Sequence, residues 1–293
     1  MESQSLLATT CGELELRWGE RTYVMGILNV TPDSFSGDGL ADNVKAAVAQ
    51  AKQMAAEGAD IIDIGGESTR PNATPVPVEE ELHRVIPVIE SLASELAVPM
   101  SIDTTKPEVA QRALEAGVRM LNDQWGLKGD SRLGELAAEW RVPIVLMSNQ
   151  RDKGGYDAVL KRDTADYDDL IAEVINSLKG SLEIASRCGI PEENIIIDPG
   201  IGFGKGWQHD LEIVRRLAEL TELGKPILLG PSGKSFIGKV LDLPVSERLQ
   251  GTAAAVAIGI AHGADMVRVH DVKQIVRVCR MSDAIIRRRQ IGN

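Results

Sequence analysis

The sequence predicts an α/β protein: a closed (β/α)8 TIM barrel with a short N-terminal β-hairpin. Eight short apolar runs alternate with stretches of helical period, the pattern of buried parallel strands joined by helices. Each run ends in polar residues, and a barrel gathers all eight strand tips at one face. An open doubly wound sheet is the competing architecture. The chain lacks the Gly-x-Gly-x-x-Gly that a dinucleotide-binding version carries after its first strand, which favours the barrel.

The elements follow in order. Glu13-Leu14-Glu15-Leu16-Arg17 alternates with period two, so residues 1–22 read as a hairpin with a turn at Gly19, covering the bottom of the barrel. The barrel then occupies residues 23–290 of one domain spanning 1–293. The first strand is Val24–Leu28, tipped by Asn29. Val44, Ala47, Val48, Ala51, Met54 and Ala55 share one helical face, and Gly58 ends that helix in a left-handed cap. Gly117, Gly189 and Gly263 read the same way, while Pro99, Pro143 and Pro226 stop helices and open strands. Helices are expected near 42–57, 78–96, 107–116, 132–139, 166–187, 208–222, 246–262 and 272–290. The later strands end at Asp63, Asp103, Asn122-Asp123, Ser148-Asn149, Asp198, Ser232-Gly233-Lys234 and Arg268-Val269-His270. Three long polar segments, from Asn29 to about Asp42, from Gly65 to about Val78 and from Arg151 to Ala165, read as lids or binding loops.

Composition narrows the function classes. A net charge of −11 argues against a nucleic-acid surface, which needs clustered Lys and Arg. The basic run Arg287-Arg288-Arg289 reads as a solvated helix end. Cys11, Cys188 and Cys279 have no ligand spacing, and an odd, scattered count fits reduced thiols. With no membrane-length apolar run and no signal-peptide pattern, a cytoplasmic protein with small-molecule partners is expected.

The strand tips suggest a ligand. Asn29, Asp63, Asp103, Asn122 and Asp198 offer carboxylates and amides, suited to a ring with adjacent N–H donors. Lys234, Arg268 and His270, with the Ser232-Gly233 turn, suit an anion, and barrels often hold phosphate after strands 7 and 8. Any one of these aspartates could instead cap the next helix; Asp103 before Pro107 is the plainest case. His83, His209 and His262 read as structural or exposed. Gly200-Ile201-Gly202-Phe203-Gly204-Lys205 lacks Walker spacing, and its glycines read as room for backbone to approach a ligand.

These residues match a family pattern. Ile27-Leu28-Asn29-Val30-Thr31-Pro32-Asp33-Ser34-Phe35-Ser36, Asp63-Ile64-Gly65-Gly66-Glu67-Ser68-Thr69-Arg70-Pro71, Ser101-Ile102-Asp103-Thr104, Asn122-Asp123, Asp198 through Lys205, Lys234-Ser235-Phe236-Ile237-Gly238 and Arg268 through Val272 occur in the family's order. The chain resembles the dihydropteroate synthases. The resemblance implies condensation of 6-hydroxymethyl-7,8-dihydropterin diphosphate with 4-aminobenzoate, giving 7,8-dihydropteroate and diphosphate in folate biosynthesis. It implies a pterin site of Asp103, Asn122, Asp198, Lys234 and Arg268. It implies diphosphate on Asn29, Arg268 and His270, with Mg²⁺ at Asn29. Aminobenzoate would lie among Thr69, Arg70, Pro71, Phe203, Lys205 and Ser235, and catalysis would use Asp103, Asp198, Lys234, Arg268 and His270. It also implies a homodimer through helices 6 to 8.

The chain departs from that pattern twice at strand tips. The family's Ser-Arg-Lys is Ser232-Gly233-Lys234 here, and its Met-His is Met147-Ser148-Asn149. Glycine restores neither the charge nor the stacking of arginine, so altered sulfonamide sensitivity is expected. Asn72 also stands after Pro71 where glycine is common. A non-catalytic pterin-binding paralogue and a related methyltetrahydrofolate methyltransferase remain as alternatives. The intact Asn29–Phe35 and Ser68–Pro71 segments favour the synthase.

Overall fold

The computed structural model describes residues 8–31, 40–68, 75–149 and 169–287. Strands β1 (Thr9–Cys11) and β2 (Leu14–Leu16) pair antiparallel. Then follow β3 (Tyr23–Asn29), α1 (Leu40–Ala56), β4 (Ile61–Gly65), α2 (Val78–Ala93), β5 (Met100–Asp103), α3 (Pro107–Ala116), β6 (Met120–Asp123), α4 (Arg132–Trp140) and β7 (Ile144–Met147). The second half holds α5 (Leu170–Arg187), β8 (Ile195–Asp198), α6 (Trp207–Arg215), β9 (Leu228–Leu229), α7 (Ser235–Leu241), α8 (Leu249–Ala261), β10 (Met266–Val269) and α9 (Val272–Ile286).

Strands β3 to β10 form one parallel sheet in the order β8-β7-β6-β5-β4-β3-β10-β9. Its two ends meet where Ile197 bridges Ile227 and donates its N–H to the Pro226 carbonyl at 2.9 Å. The eight strands are thus a nearly closed barrel, as the alternation of apolar runs and helices predicts. The strand-opening prolines fit for a simple reason. Proline has no N–H to lose, and Pro99, Pro143 and Pro226 each contribute a carbonyl, to Ile62, Leu121 and Ile197.

The core is layered. Met25, Ile61, Met120, Val145, Ile196, Leu228 and Met266 come from seven strands and fill the barrel's lower interior together with Cys11, Leu16 and Trp18 of the N-terminal segment. The hairpin therefore plugs the strand-start end. Outside, Ala47, Ala51 and Met54 of α1 and Val85, Val88, Ile89 and Leu92 of α2 pack on Ile62, Ile64 and Ile102. A second outer cluster joins α5 to Ile213, Leu217, Leu229 and Phe236. Each such fully buried aliphatic side chain contributes about 1.5–3 kcal/mol over an exposed one.

Several boundaries differ from the sequence expectation. The hairpin reverses at Gly12 (φ +62), whereas Gly19 (φ +83) turns the chain from β2 into β3. The period-two signal covered only β2, because β1 is three residues long. The helix expected over 208–222 is α6 followed by a 3-10 segment, Leu217–Leu223, closed by left-handed Gly224. The helix expected over 78–96 stops at Ala93. Helix α7 was not expected at all, since its seven residues span less than two full turns, too few for a recurring apolar face to show. Gly58, Gly117, Gly189 and Gly263 all have positive φ, as the cap reading requires.

The bottom of the barrel is tied by charge. Buried Asp283 of α9 accepts from Thr22 N and Thr22 Oγ1, both at 2.8 Å, and from Arg287 Nε at 2.9 Å. Asp60 accepts from Arg21 and from Val24 N. Replacing Asp283 by alanine orphans a buried N–H and hydroxyl, so urea unfolding should show a loss of about 3 kcal/mol. An unchanged midpoint would contradict this account of the C-terminal helix as a clamp.

Candidate active site

The strand register sets four positions on one rung at the opposite, C-terminal end. Asn29 lies opposite Gly65, Gly65 opposite Asp103, and Asp103 opposite Asn122. Gly65 contributes no side chain, and a Cβ there would stand 3.7 Å from the Asp103 Cβ and 3.9 Å from Asn29 Oδ1. The rung therefore keeps an open notch between an amide and a carboxylate.

Arg268 crosses this notch from β10. Its Nε donates to Asp63 Oδ2 at 2.6 Å and its Nη2 to Asp103 Oδ2 at 2.7 Å. Asn122 Nδ2 donates to the same Asp63 oxygen at 3.0 Å, and Gln124 Nε2 donates to Asp103 Oδ1 at 2.6 Å. Asp103 is thus not the cap of α3. That helix starts on Pro107 with Lys106 at its N-cap and no side-chain cap bond. The local turn function falls to other groups: Thr104 Oγ1 accepts from Lys106 N, and Asp123 accepts from Trp125 N and Leu127 N.

Burial and charge act against each other here. Burial raises Asp103 to about 7; Arg268 pulls it down, while the Asp63 carboxylate pushes it further up. Asp198 is also raised by burial, against the pull of the Gly200 N–H and the cations Lys234, Arg268 and Lys205. Burial opposes the charge on Arg268, but Asp63 and Asp103 outweigh it and hold the guanidinium above its ordinary value. Asp123 is raised by burial to about 6, opposed by its two backbone donors.

The anion side of the pocket is built from β9 and β10. His270 Nδ1 lies 3.0 Å from Ser232 Oγ, which also accepts from His270 N at 3.2 Å. Asn29 Nδ2 approaches His270 Nε2 at 3.4 Å, which turns the Asn29 carbonyl oxygen toward the notch. Gly233 has φ +64; its N–H donates to Thr252 Oγ1 and its carbonyl accepts from Arg248 Nη1. Lys234 follows as the N-cap of α7, and its ammonium stands 4.4 Å from the centroid of the Phe203 ring.

The loop after β8 is held from within. Asp198 Oδ1 accepts from Gly200 N at 2.7 Å. Lys205 is buried, and its ammonium donates to the carbonyls of Ser148 and Gly200 at 3.0 Å and of Phe203 at 3.3 Å. A Cβ on Gly200 would sit 2.2 Å from the Ser148 carbonyl oxygen, so glycine is required for this crossing. Gly200, one of the three glycines expected to admit a ligand, thus admits the neighbouring loop. Ser235, the first residue of α7, is exposed. The second long loop is pinned at its base by Lys106, which pairs with Glu67 and buried Glu81, and by Arg84, which donates to Gly66 O. Thr69, Arg70 and Pro71 lie outside the described residues, as do most of the first long loop and all of Arg151–Ala165.

Asp103, Asn122 and Arg268 are therefore joined in one bonded network, with Asp198 and Lys234 electrostatically coupled to it. Asn29 and His270 form the adjoining pair. Gln124 was absent from the expected site, while Asp63 and Ser232 were expected there without their partners, Arg268 with Asn122 and His270. Asp63 and Ser232 were visible as strand-tip polar residues; Gln124 lies beyond the end of β6 and carries no motif of its own.

A family model of the pterin binding enzymes matches residues 25–270. The dihydropteroate synthase of Bacillus subtilis is 49% identical over 271 residues, covering 92% of this chain and 91% of its own. The chain belongs to the dihydropteroate synthase family of pterin-binding enzymes. A crystal structure of the Clostridium difficile synthase obtained in the presence of pteroic acid superposes with a TM-score of 0.85 at 48% identity, covering 92% of this chain and 98% of that one. The Xanthomonas albilineans synthase with 4-aminobenzoic acid also gives 0.85, at 43% identity and 96% and 98% coverage. Among the described residues no helix is long and apolar enough to cross a membrane.

The electrostatics of the network yield a titration. With a folded value of about 7 against an ordinary value of 3.8, Asp103 favours the folded state most fully below about pH 4, and this contribution is lost as pH rises through about 7. Carbon-13 NMR of the ligand-free protein should show one aspartate carboxyl with a midpoint near 7, absent from Asp103→Asn. Its absence from the wild type would refute the burial argument.

Proposed function

We propose that this protein condenses 6-hydroxymethyl-7,8-dihydropterin diphosphate with 4-aminobenzoate, releasing 7,8-dihydropteroate and diphosphate for folate biosynthesis in the cytoplasm. The observation that carries this reading is the bonded cluster of Asp103, Asn122 and Arg268, with Asp198 and Lys234 coupled to it at the barrel mouth. A pterin ring presents amino and ring N–H donors beside carbonyl and ring-nitrogen acceptors. Carboxylates and the Asn122 amide answer the donors, and Lys234 and Arg268 answer the acceptors.

The bond that breaks joins the pterin methylene carbon to the diphosphate oxygen; the electron pair leaves with diphosphate. The bond that forms joins that carbon to the aniline nitrogen, which then loses one proton. Arg268 and His270 stabilise charge growing on the leaving group, while Asp103 and Asp198 balance positive charge on the ring. The aniline nitrogen is neutral at pH 7 and needs no strong base. Phe203, under the Lys234 ammonium, offers the aminobenzoate an apolar wall, and Ser235 a hydroxyl. In this reading Arg70 supplies a cation for its carboxylate, with Thr69 and Pro71 beside it. The position of Lys205, closed on three carbonyls, supports a part in holding that wall in place.

Mg²⁺ fits the donor set in one form. Among the described residues no group of three or more His, Cys, Asp or Glu could cage a metal ion. The Asn29 carbonyl oxygen is a single hard donor, suited to an ion that keeps its waters and its diphosphate oxygens. Such an ion would neutralise charge on the leaving diphosphate. A homodimer is part of the same proposal.

Purified protein with Mg²⁺ and the pterin diphosphate should release diphosphate stoichiometrically with dihydropteroate, detected by mass, and only when 4-aminobenzoate is present. Lys234→Ala should lower kcat/KM by roughly 100-fold or more, on the scale of a lost charged contact in a buried site. Pterin binding without turnover would overturn the synthase reading in favour of a non-catalytic binder.

Gly233 stands where the family motif has arginine, next to Lys234, and we propose that it lowers sulfonamide sensitivity. Its nearest neighbour for a Cβ is Val245 Cγ1 at 4.0 Å, so the first side-chain carbon meets no clash, although φ +64 strains any residue but glycine. Gly233→Arg should reduce a sulfonamide's inhibition constant by about threefold or more through a planar cation. Equal constants would remove the idea.

A further inference from the structure

Arg268 serves the proposed pocket, yet two of its N–H groups already hold carboxylates. The two bonds differ in setting. Asp103 ends β5 and borders the notch, whereas Asp63 is the third residue of β4, fully buried, and lies opposite Ile27 and Ser101 in the sheet register. Asp63 Oδ2 accepts both Arg268 Nε and Asn122 Nδ2. Its other oxygen, Oδ1, is buried with no partner among the described residues. One buried oxygen therefore aims a cation from β10 and an amide from β6, elements that do not pair with each other in the sheet.

We propose that Asp63 is a positioning residue: it is the permanent counterion of Arg268 and the anchor of Asn122, and it frees Asp103 to exchange the guanidinium for the pterin ring. The proposal rests on the pterin reading of the pocket. In the structure two carboxylates share one guanidinium. When ring N–H donors claim Asp103, the bond from Arg268 Nη2 must lengthen or break. The Nε bond to Asp63 keeps the guanidinium in the site, neutralised and correctly turned, while its other N–H groups become available to the ligand. Without the Asp63 charge, Arg268 keeps Asp103 as its one hydrogen-bonded carboxylate among the described residues, and the pterin must compete with it. Coulombic contact of Arg268 with Asp198 does not replace this tie, since no hydrogen bond joins the two in the described set.

Asp63→Asn tests the charge separately from the shape, because an asparagine oxygen can still accept from Arg268 and Asn122. Calorimetry with pteroic acid should show binding weakened about tenfold or more, the scale of a lost buried charged pair. The KM for 4-aminobenzoate should stay within about twofold, a split that general loss of structure would not produce. Nitrogen-15 NMR on arginine-labelled wild type, with Arg268→Lys to assign the resonance, gives a second measurement that needs no stable Asp63 variant. The Arg268 Nε–H should stay protected from exchange throughout a pteroic acid titration. Equal pteroic acid affinity in wild type and Asp63→Asn, or loss of Nε–H protection on binding, would overturn the role of Asp63 alone. Failure of wild type to bind pteroic acid would overturn the pterin reading and this inference together.

Discussion

A guanidinium held between two carboxylates inside a barrel mouth governs the geometry around it. Removing Arg268, Asp63 and Asp103 from water is costly, and the cost is met only when each charge has close, well-directed partners. That requirement explains why Asn122 and Gln124 point where they do: each donates an N–H to a carboxylate oxygen of the pair. It also explains why Asp103 rises while Arg268 keeps its charge. Three ionisable groups with one cation leave a proton or a ligand donor as the natural partner for the outer carboxylate.

The two ends of the barrel use polar chemistry differently. At the strand-start end, Asp60, Asp265 and Asp283 accept from backbone N–H groups and arginines of adjacent segments, and the hairpin seals the apolar layer beneath. Those bonds join β3, β9 and α9 and serve stability. At the strand-tip end the donors and acceptors border an opening. Gly200 passes the Ser148 carbonyl at a distance that glycine alone permits, and Gly65, lacking a side chain, leaves the notch between Asn29 and Asp103 open. Lys205 then fastens the loops after β7 and β8 to each other. The difference between the ends follows from the direction of parallel strands, which send every connection of one kind to one face.

This arrangement gives physical sense to the position of the two departures from the family pattern. Ser148 contributes main-chain atoms to the site: its N–H donates to Asp198 O and its carbonyl accepts from Lys205. A change of side chain there leaves those bonds in place. Gly233 is likewise held through its backbone, by Thr252 and Arg248, so the turn that delivers Lys234 and orients Ser232 survives without arginine.

Much of the architecture was legible in the linear sequence. Alternating apolar runs and amphipathic segments marked the parallel strands and helices, glycine and proline marked their ends, and polar residues at the run ends marked the face where the site lies. These signals are local, set by side-chain period and backbone conformation, so sequence alone determines them. Short elements such as β1 and α7 escaped because they span too few residues to display a period. The partnerships escaped for a different reason. Nothing in the chain shows that Asp63 and Arg268, 205 residues apart, share a bond, or that Gln124 turns back to Asp103. Asp103 reads equally well as a helix cap and Lys205 as a ligand contact until the barrel closes. Closure decides which buried charges must neutralise one another, because only then do the residues of distant strands occupy the same space and lose the water that would have served them separately.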